Sequence, residues 1–375
     1  MDLKIPRLYI HIPFCRTKCG YCNFYSITSL SSIPDFLEAL GREMEMVRGE
    51  FGLFDTVYIG GGTPSILSPH EIENLLGRIR RNFVLLPGVE ITVEANPSDL
   101  DFSLLESLLS LGVNRLNIGI QSFDQKILDF LGRRHTSIEA VSAIETAREA
   151  GFENIGLDLI YGIPRQNIRS WLDTLSQALA FVPEHLSCYQ LTIESKTPLG
   201  KRYEQGEVSL PGEELESHFF IKTAESLEQA GYIHYEVSNF AREITLVSKH
   251  NQKYWDHTSY LGLGPAAHSF SGYRRWWNHR SVERYITDIN AGKRAIEDTE
   301  TLTMEQFRLE ALFLGLRTKR GVCLKEFVEQ YGCDLAVEKR DVLGRLKEEG
   351  LVTINGDYLV PTRAGLAVAD SLALI

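Results

Sequence analysis

Apolar residues come in short strand-like runs through roughly the first 195 positions, and between the runs they recur at helical spacing. The runs predict strands at 8–12, 56–59, 90–93, 115–120, 155–160 and 186–193. Phe36, Leu37, Leu40, Met44 and Val47 share one helix face between the first two. Ser68-Pro69-His70-Glu71 marks a helix start, with an N-cap serine, proline at the first helical position and a capping-box glutamate. Six strand-then-helix units imply a parallel sheet, wound either open or as a partial barrel.

Polar residues recur where these strands end. The second runs into Gly60-Gly61-Gly62-Thr63-Pro64, and Val89, Ile91 and Val93 on one face put Glu94 on the other. Gln121 closes the fourth strand, and Asp158 interrupts Leu157-Asp158-Leu159-Ile160. One such carboxylate would read as a satisfied core residue; a polar group on strand after strand is what a ligand site at a barrel rim requires.

Beyond position 200 the regularity fades. A helix is expected at 213–229, then an aromatic and histidine-rich stretch at 234–279. The last 75 residues read as a small separate unit, with helical patterns at 305–316, 324–330 and 335–348. A hairpin turning at Asn355-Gly356 follows, flanked by 351–354 and 358–360. Helices with a β-hairpin suggest a winged-helix-like α+β domain. The expected organisation is a barrel over 1–235, a connecting region over 236–300 and a C-terminal domain over 301–375.

Composition narrows the possibilities. The 375 residues are 43% apolar, enough for a large core in two domains. No run approaches the roughly 18 apolar residues of a membrane span, and Met1-Asp2-Leu3-Lys4-Ile5-Pro6 lacks the apolar core of a secretory signal, so a cytoplasmic protein is expected. Net charge −11 disfavours nucleic-acid binding, as does the balance of ten Lys/Arg against eleven Asp/Glu in 301–375. Six cysteines are too few for a disulfide scaffold, and three of them fall within eight residues, which reads as metal binding in a reducing compartment. Cys188, Cys323 and Cys333 read as buried thiols.

Cys15-x-x-x-Cys19-x-x-Cys22 directly follows the first strand. Zinc sites usually take four ligands, and no second cysteine pair or nearby histidine completes one, since His11 lies in the strand itself. A 4Fe–4S cluster normally takes four thiolates, so three leave one iron open to a small molecule. Tyr21 and Phe24 are placed to shield such a cluster.

This spacing, with Tyr21 before the third cysteine, resembles the radical S-adenosylmethionine (SAM) signature. Tyr9-Ile10-His11-Ile12-Pro13-Phe14-Cys15, Gly60 to Pro64, Gly119-Ile120-Gln121-Ser122-Phe123, Leu131-Gly132-Arg133-Arg134-His135 and Asp158 to Pro164 narrow the likeness. They resemble the family that holds oxygen-independent coproporphyrinogen III oxidase and a related haem chaperone, over almost the whole chain. The resemblance implies a partial (β/α)6 barrel in which Cys15, Cys19 and Cys22 hold the cluster and SAM chelates its open iron. Tyr9 and Tyr21 would line the site, and Gly61, Gly62 and Thr63 would let backbone approach the SAM amino group. Glu94 and Asp158 would touch bound SAM, with Gln121 and Arg133 beside them. Read without the resemblance, Glu94 and Arg133 serve equally well as structural ion pairs.

Within that family three features favour the chaperone over the oxidase. The oxidase type carries another cysteine where Phe24 stands, and an N-terminal extension where this chain is already in its first strand by Leu8. His250-Asn251-x-x-Tyr254-Trp255 resembles a motif of the chaperone type. His250 and Tyr254, on one side of a helical turn, are expected haem contacts, since both residue types ligate haem iron. Trp255, Trp276 and Trp277 would wall the macrocycle. A histidine among aromatics is also a common core residue, and Cys188, His257 and His268 are rival ligands. Gly262 to His268 resembles a family turn, with Ala266 or Ala267 standing in for glycine. The expectation is therefore a non-enzymatic haem chaperone that passes haem to acceptor proteins, membrane-bound ones included, as a monomer or a haem-linked dimer. The alternative is the oxidase.

Overall fold

Alternation along the strands produces a sheet whose two faces differ in kind. The protein is described here by a computed structural model over residues 4–372. Six parallel strands run in sequence order: β1 (Arg7–Ile12), β2 (Phe54–Gly61), β3 (Leu85–Ala95), β4 (Arg115–Gln121), β5 (Ile155–Tyr161) and β6 (His185–Gln190). Leu8, Ile10, Val57, Ile59, Ile91, Val93, Leu116 and Leu157 pack outward in the main core, beneath helices such as Ile33–Met46 and Pro69–Asn82. The opposite face is polar. Tyr9 lies level with Tyr58, Tyr58 with Thr92, Glu94 with Asn117 and Asp158 with Ser187. Side chains paired across strands share a face, so these residues line one lumen. The Ser68 capping box forms as expected, and Pro69 opens the helix.

The strand expected at 186–193 stops at Gln190. The Leu191 N–H donates to the Tyr161 carbonyl at 2.8 Å, and Leu191 and Ile193 turn off to pack with Tyr21 and Leu199 beneath the cysteine loop. Residues 233–301 supply further strands of the same sheet. β7 (Ile233–Glu236) and β8 (Asn239–Ala241) extend it beyond β6, while β9 (Tyr260–Leu263), β10 (His268–Ser271), β11 (Arg274–Asn278) and β12 (Ile296–Thr301) extend it beyond β1. The C-terminal unit has its own sheet of β13 (Val322–Cys323), β14 (Val352–Asn355) and β15 (Tyr358–Pro361), turning at Gly356 with φ of 57°. Its core of Phe307, Leu316, Phe327 and Leu359 also takes in Phe270 of β10. Glu310 ties it to the barrel through His257 at 3.1 Å and Arg275 at 2.6 Å.

One buried carboxyl joins the β9–β12 extension to the barrel. Glu43, on the helix Ile33–Met46, accepts from Gly264 N at 2.8 Å, Asn278 Nδ2 at 2.6 Å and Tyr285 Oη at 2.7 Å. Burial pushes its pKa up even against these three donors. Glu43→Ala strands all three, so it should lower stability by about 3 kcal/mol or more in urea unfolding. Glu43→Gln, which keeps its carbonyl oxygen, should lose less. Equal losses from the two would contradict a role for the acceptor.

Candidate SAM and cluster site

The cysteine loop is anchored before any cofactor is considered. Cys15 N donates to Ile27 O at 3.0 Å, and the side chains of Cys15, Cys19 and Cys22 are free and partly buried. Thr63 Oγ1 donates to Cys15 Sγ at 3.3 Å, and an Arg133 terminal nitrogen donates to Cys19 Sγ at 3.5 Å. Hydrogen bonds into sulfur favour the thiolate that a cluster ligand must be. Among the described residues no three His, Cys, Asp or Glu side chains are close enough to grip a single metal ion. A four-iron cluster spaces its thiolates more widely than one ion does, so the free sulfurs and their donors fit the cluster.

Asp99 fixes the loop from outside and was not singled out from the sequence. It is buried, and it accepts from Arg16 Nε at 3.3 Å and Arg134 at 2.5 Å, with Ser65 Oγ at 3.3 Å. One carboxylate thus joins the cysteine loop, the turn after Gly62 and the segment after Arg133. The residues pair over 34 to 83 positions of sequence, which no local pattern signals.

The glycine run answers a closer neighbour than a ligand. Gly61 has φ of 111°, and an added Cβ there would stand 2.6 Å from the His11 ring. One on Gly62 would stand 2.6 Å from the Phe14 carbonyl oxygen. Gly62 N also donates to Ile12 O at 2.8 Å. Both positions need glycine so that this turn can lie against the strand that launches the cysteine loop. His11 is itself wedged between Tyr9 Oη at 3.0 Å and Tyr25 O at 2.8 Å, and burial holds its pKa down at about 4.

Inside the lumen the strand-end residues converge. Glu94 accepts from Tyr58 Oη at 2.7 Å and Gly61 N at 3.1 Å, and Tyr58 stacks on Tyr9 at 6.2 Å. Asp158 accepts from Asn117 Nδ2 at 2.6 Å, and its other oxygen is buried without a partner. Gln121 sits at φ of 65°, an uncommon conformation for a side-chain-bearing residue, and is buried beside Gly119. Arg133 has committed one terminal nitrogen to Gly119 O at 2.8 Å and the other to Cys19, and its buried Nε lacks a partner. Tyr9, Tyr21, Gly61, Thr63, Glu94, Gln121, Arg133 and Asp158 therefore form one connected site with the cysteines.

His250 and Tyr254 lie at the other end of this lumen. The short helix Lys249–Gln252 is held by Glu90, which accepts from Lys249 N at 3.2 Å and His250 N at 3.1 Å. His250 is 1% exposed, with Nδ1 3.1 Å from Thr56 Oγ1, its ring 5.0 Å from Tyr58, and Nε2 buried without a partner. Tyr254 packs edge-on to His250 at 5.7 Å and covers the Arg7 guanidinium at 3.3 Å. The pair does meet, as its spacing implies, but as a packed floor to the barrel. Trp276 and Trp277 fall on opposite faces of β11, one buried and the other stacked on exposed His268 at 5.5 Å, so the expected wall of three tryptophans does not form. Cys188 is core, and both ring nitrogens of His257 are taken by Tyr331 and Glu310.

Burial raises Glu94 to about 7, with Asp158 nearby adding to the rise while the Tyr58 and Gly61 bonds oppose it. Burial likewise raises Asp158 to about 6, with the nearby polar groups of Ser187 and Asn117 opposing the rise. Both values lie above those of the unfolded chain, about 4. The folded state therefore binds the extra protons, and stability falls as pH rises from about 4 to about 7. In the ligand-free protein, Glu94→Gln with Asp158→Asn should gain on the wild type in Tm between about pH 5 and about pH 8. The same Tm difference at both pH values would contradict the assignment.

Comparisons with known proteins agree with this geometry. A family model described as the Radical SAM superfamily matches residues 9–178, and one described as the HemN C-terminal domain matches 302–368. The heme chaperone HemW of Bacillus subtilis is 39% identical over 371 residues, 97% of each chain. The heme chaperone HemW of Mycobacterium tuberculosis is 32% identical over 97% of this chain and 93% of its own. The structure of Escherichia coli coproporphyrinogen III oxidase (HemN), a radical SAM enzyme, superposes with a TM-score of 0.86 at 24% identity, over 99% of this chain and 90% of that one. That likeness shows a shared fold, a radical SAM barrel with a HemN-type C-terminal domain. The chain belongs to the HemW family of radical SAM proteins.

Proposed function

We propose that this protein is a haem chaperone, which binds haem and passes it to acceptor proteins, and that it does not oxidise coproporphyrinogen III. The observation that carries this reading is the near end-to-end match, 97% of both chains, with a protein named as a haem chaperone. The cysteine loop supports it: Phe24, where the oxidase type carries a further cysteine, is 69% exposed and offers no sulfur. We place the protein in the cytoplasm, following the reducing-compartment reading of its cysteine cluster. No helix among the described residues is long and apolar enough to cross a membrane, so a membrane-bound acceptor would be reached by docking.

In this reading Cys15, Cys19 and Cys22 hold the cluster, which supplies an open iron and reducing electrons when bound. Thr63 and Arg133 stabilise the thiolates of Cys15 and Cys19 by donating to them. Glu94 offers carboxylate oxygens to a cationic or hydroxyl group of SAM, and the partnerless oxygen of Asp158 accepts from another. Tyr9 and Tyr58 exclude water from that end of the lumen. His250 and Tyr254 reach haem only if residues 249–255 swing away from the barrel. The packed arrangement favours the motif as a structural wall near haem over direct iron ligation by His250.

Anaerobic reconstitution should load about one four-iron cluster per chain, and Cys15→Ala, Cys19→Ala and Cys22→Ala should each abolish it. Gly62→Ala should also lower loading, by pushing on the Phe14 backbone. Zinc without sulfide in protein purified free of air would contradict the cluster. Haem titrated into the loaded protein should bind with a Soret band whose position survives His250→Ala, even where affinity falls. A shifted band would make His250 an iron ligand, and a failure of the wild type to bind haem would remove the chaperone reading.

A further inference from the structure

The segment 249–255 has two sides, and only one faces the barrel. Its other side walls a cavity of about 710 Å³ between the underside of the barrel and the C-terminal domain. Gln252 and Trp255 stand on this wall, with Val322, Phe327 and Tyr331 among the residues across from them. The Trp255 indole N–H is buried without an acceptor. None of the SAM-site residues lines this space.

Charge sets the cavity apart. In a chain of net charge −11, its lining carries Lys4, Lys249, Lys253, Lys319 and Arg320 against Asp55, Asp256 and Glu326. Lys253 is tied to Asp55, and Lys4 to Asp256. Lys249 is exposed and has no carboxylate partner among the described residues, and Arg320 donates to Tyr358 Oη at 3.1 Å while its one carboxylate pair, with Glu326 at 3.7 Å, is solvent-exposed. An apolar interior with cations at its rim complements a flat apolar body that ends in carboxylates. A volume of this order falls in the range that buries a ligand of several hundred daltons.

We infer that this cavity seats haem, with the ring against Trp255 and the propionates toward Lys249 and Arg320. The inference rests on the haem-binding reading and adds the place. It gives the HNxxYW segment one role on each side: His250 and Tyr254 close the SAM lumen, and Trp255 faces the porphyrin. Recognition here comes from the ring and its carboxylates, so iron-free protoporphyrin IX binds at the same place.

The test uses full-length, cluster-loaded protein titrated with haem, followed at the Soret band, and separately with protoporphyrin IX, followed by its fluorescence. Lys249→Glu with Arg320→Glu should weaken both by about tenfold or more, since two charge-assisted contacts become repulsive. Arg169→Glu with Lys126→Glu, on the exposed outer helices, makes the same change in net charge and should leave both affinities as in the wild type. Ala311→Trp fills the cavity without changing charge and should also weaken both, with cluster absorbance and circular dichroism reporting that each variant is folded. Wild-type affinity in both the charge-reversed and the filled variant would overturn this placement while leaving haem binding intact. A wild type that takes up neither porphyrin would overturn the haem reading itself.

Discussion

A polar interior enclosed by an apolar shell is the constraint on which the rest of this structure depends. Six strands turn Leu, Ile and Val toward the helices, and their alternation then commits Tyr9, Tyr58, Glu94, Asn117 and Asp158 to one lumen. Two carboxyls buried there are costly as anions, and within the protein only neutral donors touch them. In the SAM-binding role proposed for this lumen, a ligand bearing an ammonium group and ribose hydroxyls would offset that cost on arrival. Glu90 captures the N–H groups of Lys249 and His250, and His250 meets Thr56, which closes the end of the barrel away from the cysteines.

The parts legible in the sequence were those written locally. Period-two runs located the strands, Ser68-Pro69-His70-Glu71 located a helix start, and Asn355-Gly356 located a hairpin, because each signal lies within a few residues of its effect. The three-cysteine loop was legible for the same reason. Glu43, Asp99 and Glu90 were not. Each is a buried acid whose partners lie 34 to 242 positions away, and in sequence each resembles any surface carboxylate. Trp276 and Trp277 were misjudged although the signal was present: neighbours in a strand point to opposite faces, so one wall could not hold both. The glycine run was located correctly, but its tightest constraint comes from His11 and Phe14 on the neighbouring strand and loop.

The floor segment is where the two halves of the account meet. On its inner side His250 lies against Tyr58, which donates to Glu94 in the candidate SAM site. On its outer side Trp255 faces the cavity beside the C-terminal domain. The short helix between them is held on the barrel side by Glu90 and Thr56. The C-terminal domain contributes Val322, Phe327 and Tyr331 to the lining of that cavity.

The central claim is that a barrel so close in fold to a coproporphyrinogen III oxidase serves to carry haem. It is tested most directly by incubating the cluster-loaded protein anaerobically with coproporphyrinogen III, SAM and a reductant, and analysing the tetrapyrroles formed. The account predicts that the coproporphyrinogen is recovered with its propionates intact. Protoporphyrinogen IX formed over many turnovers per chain would contradict it.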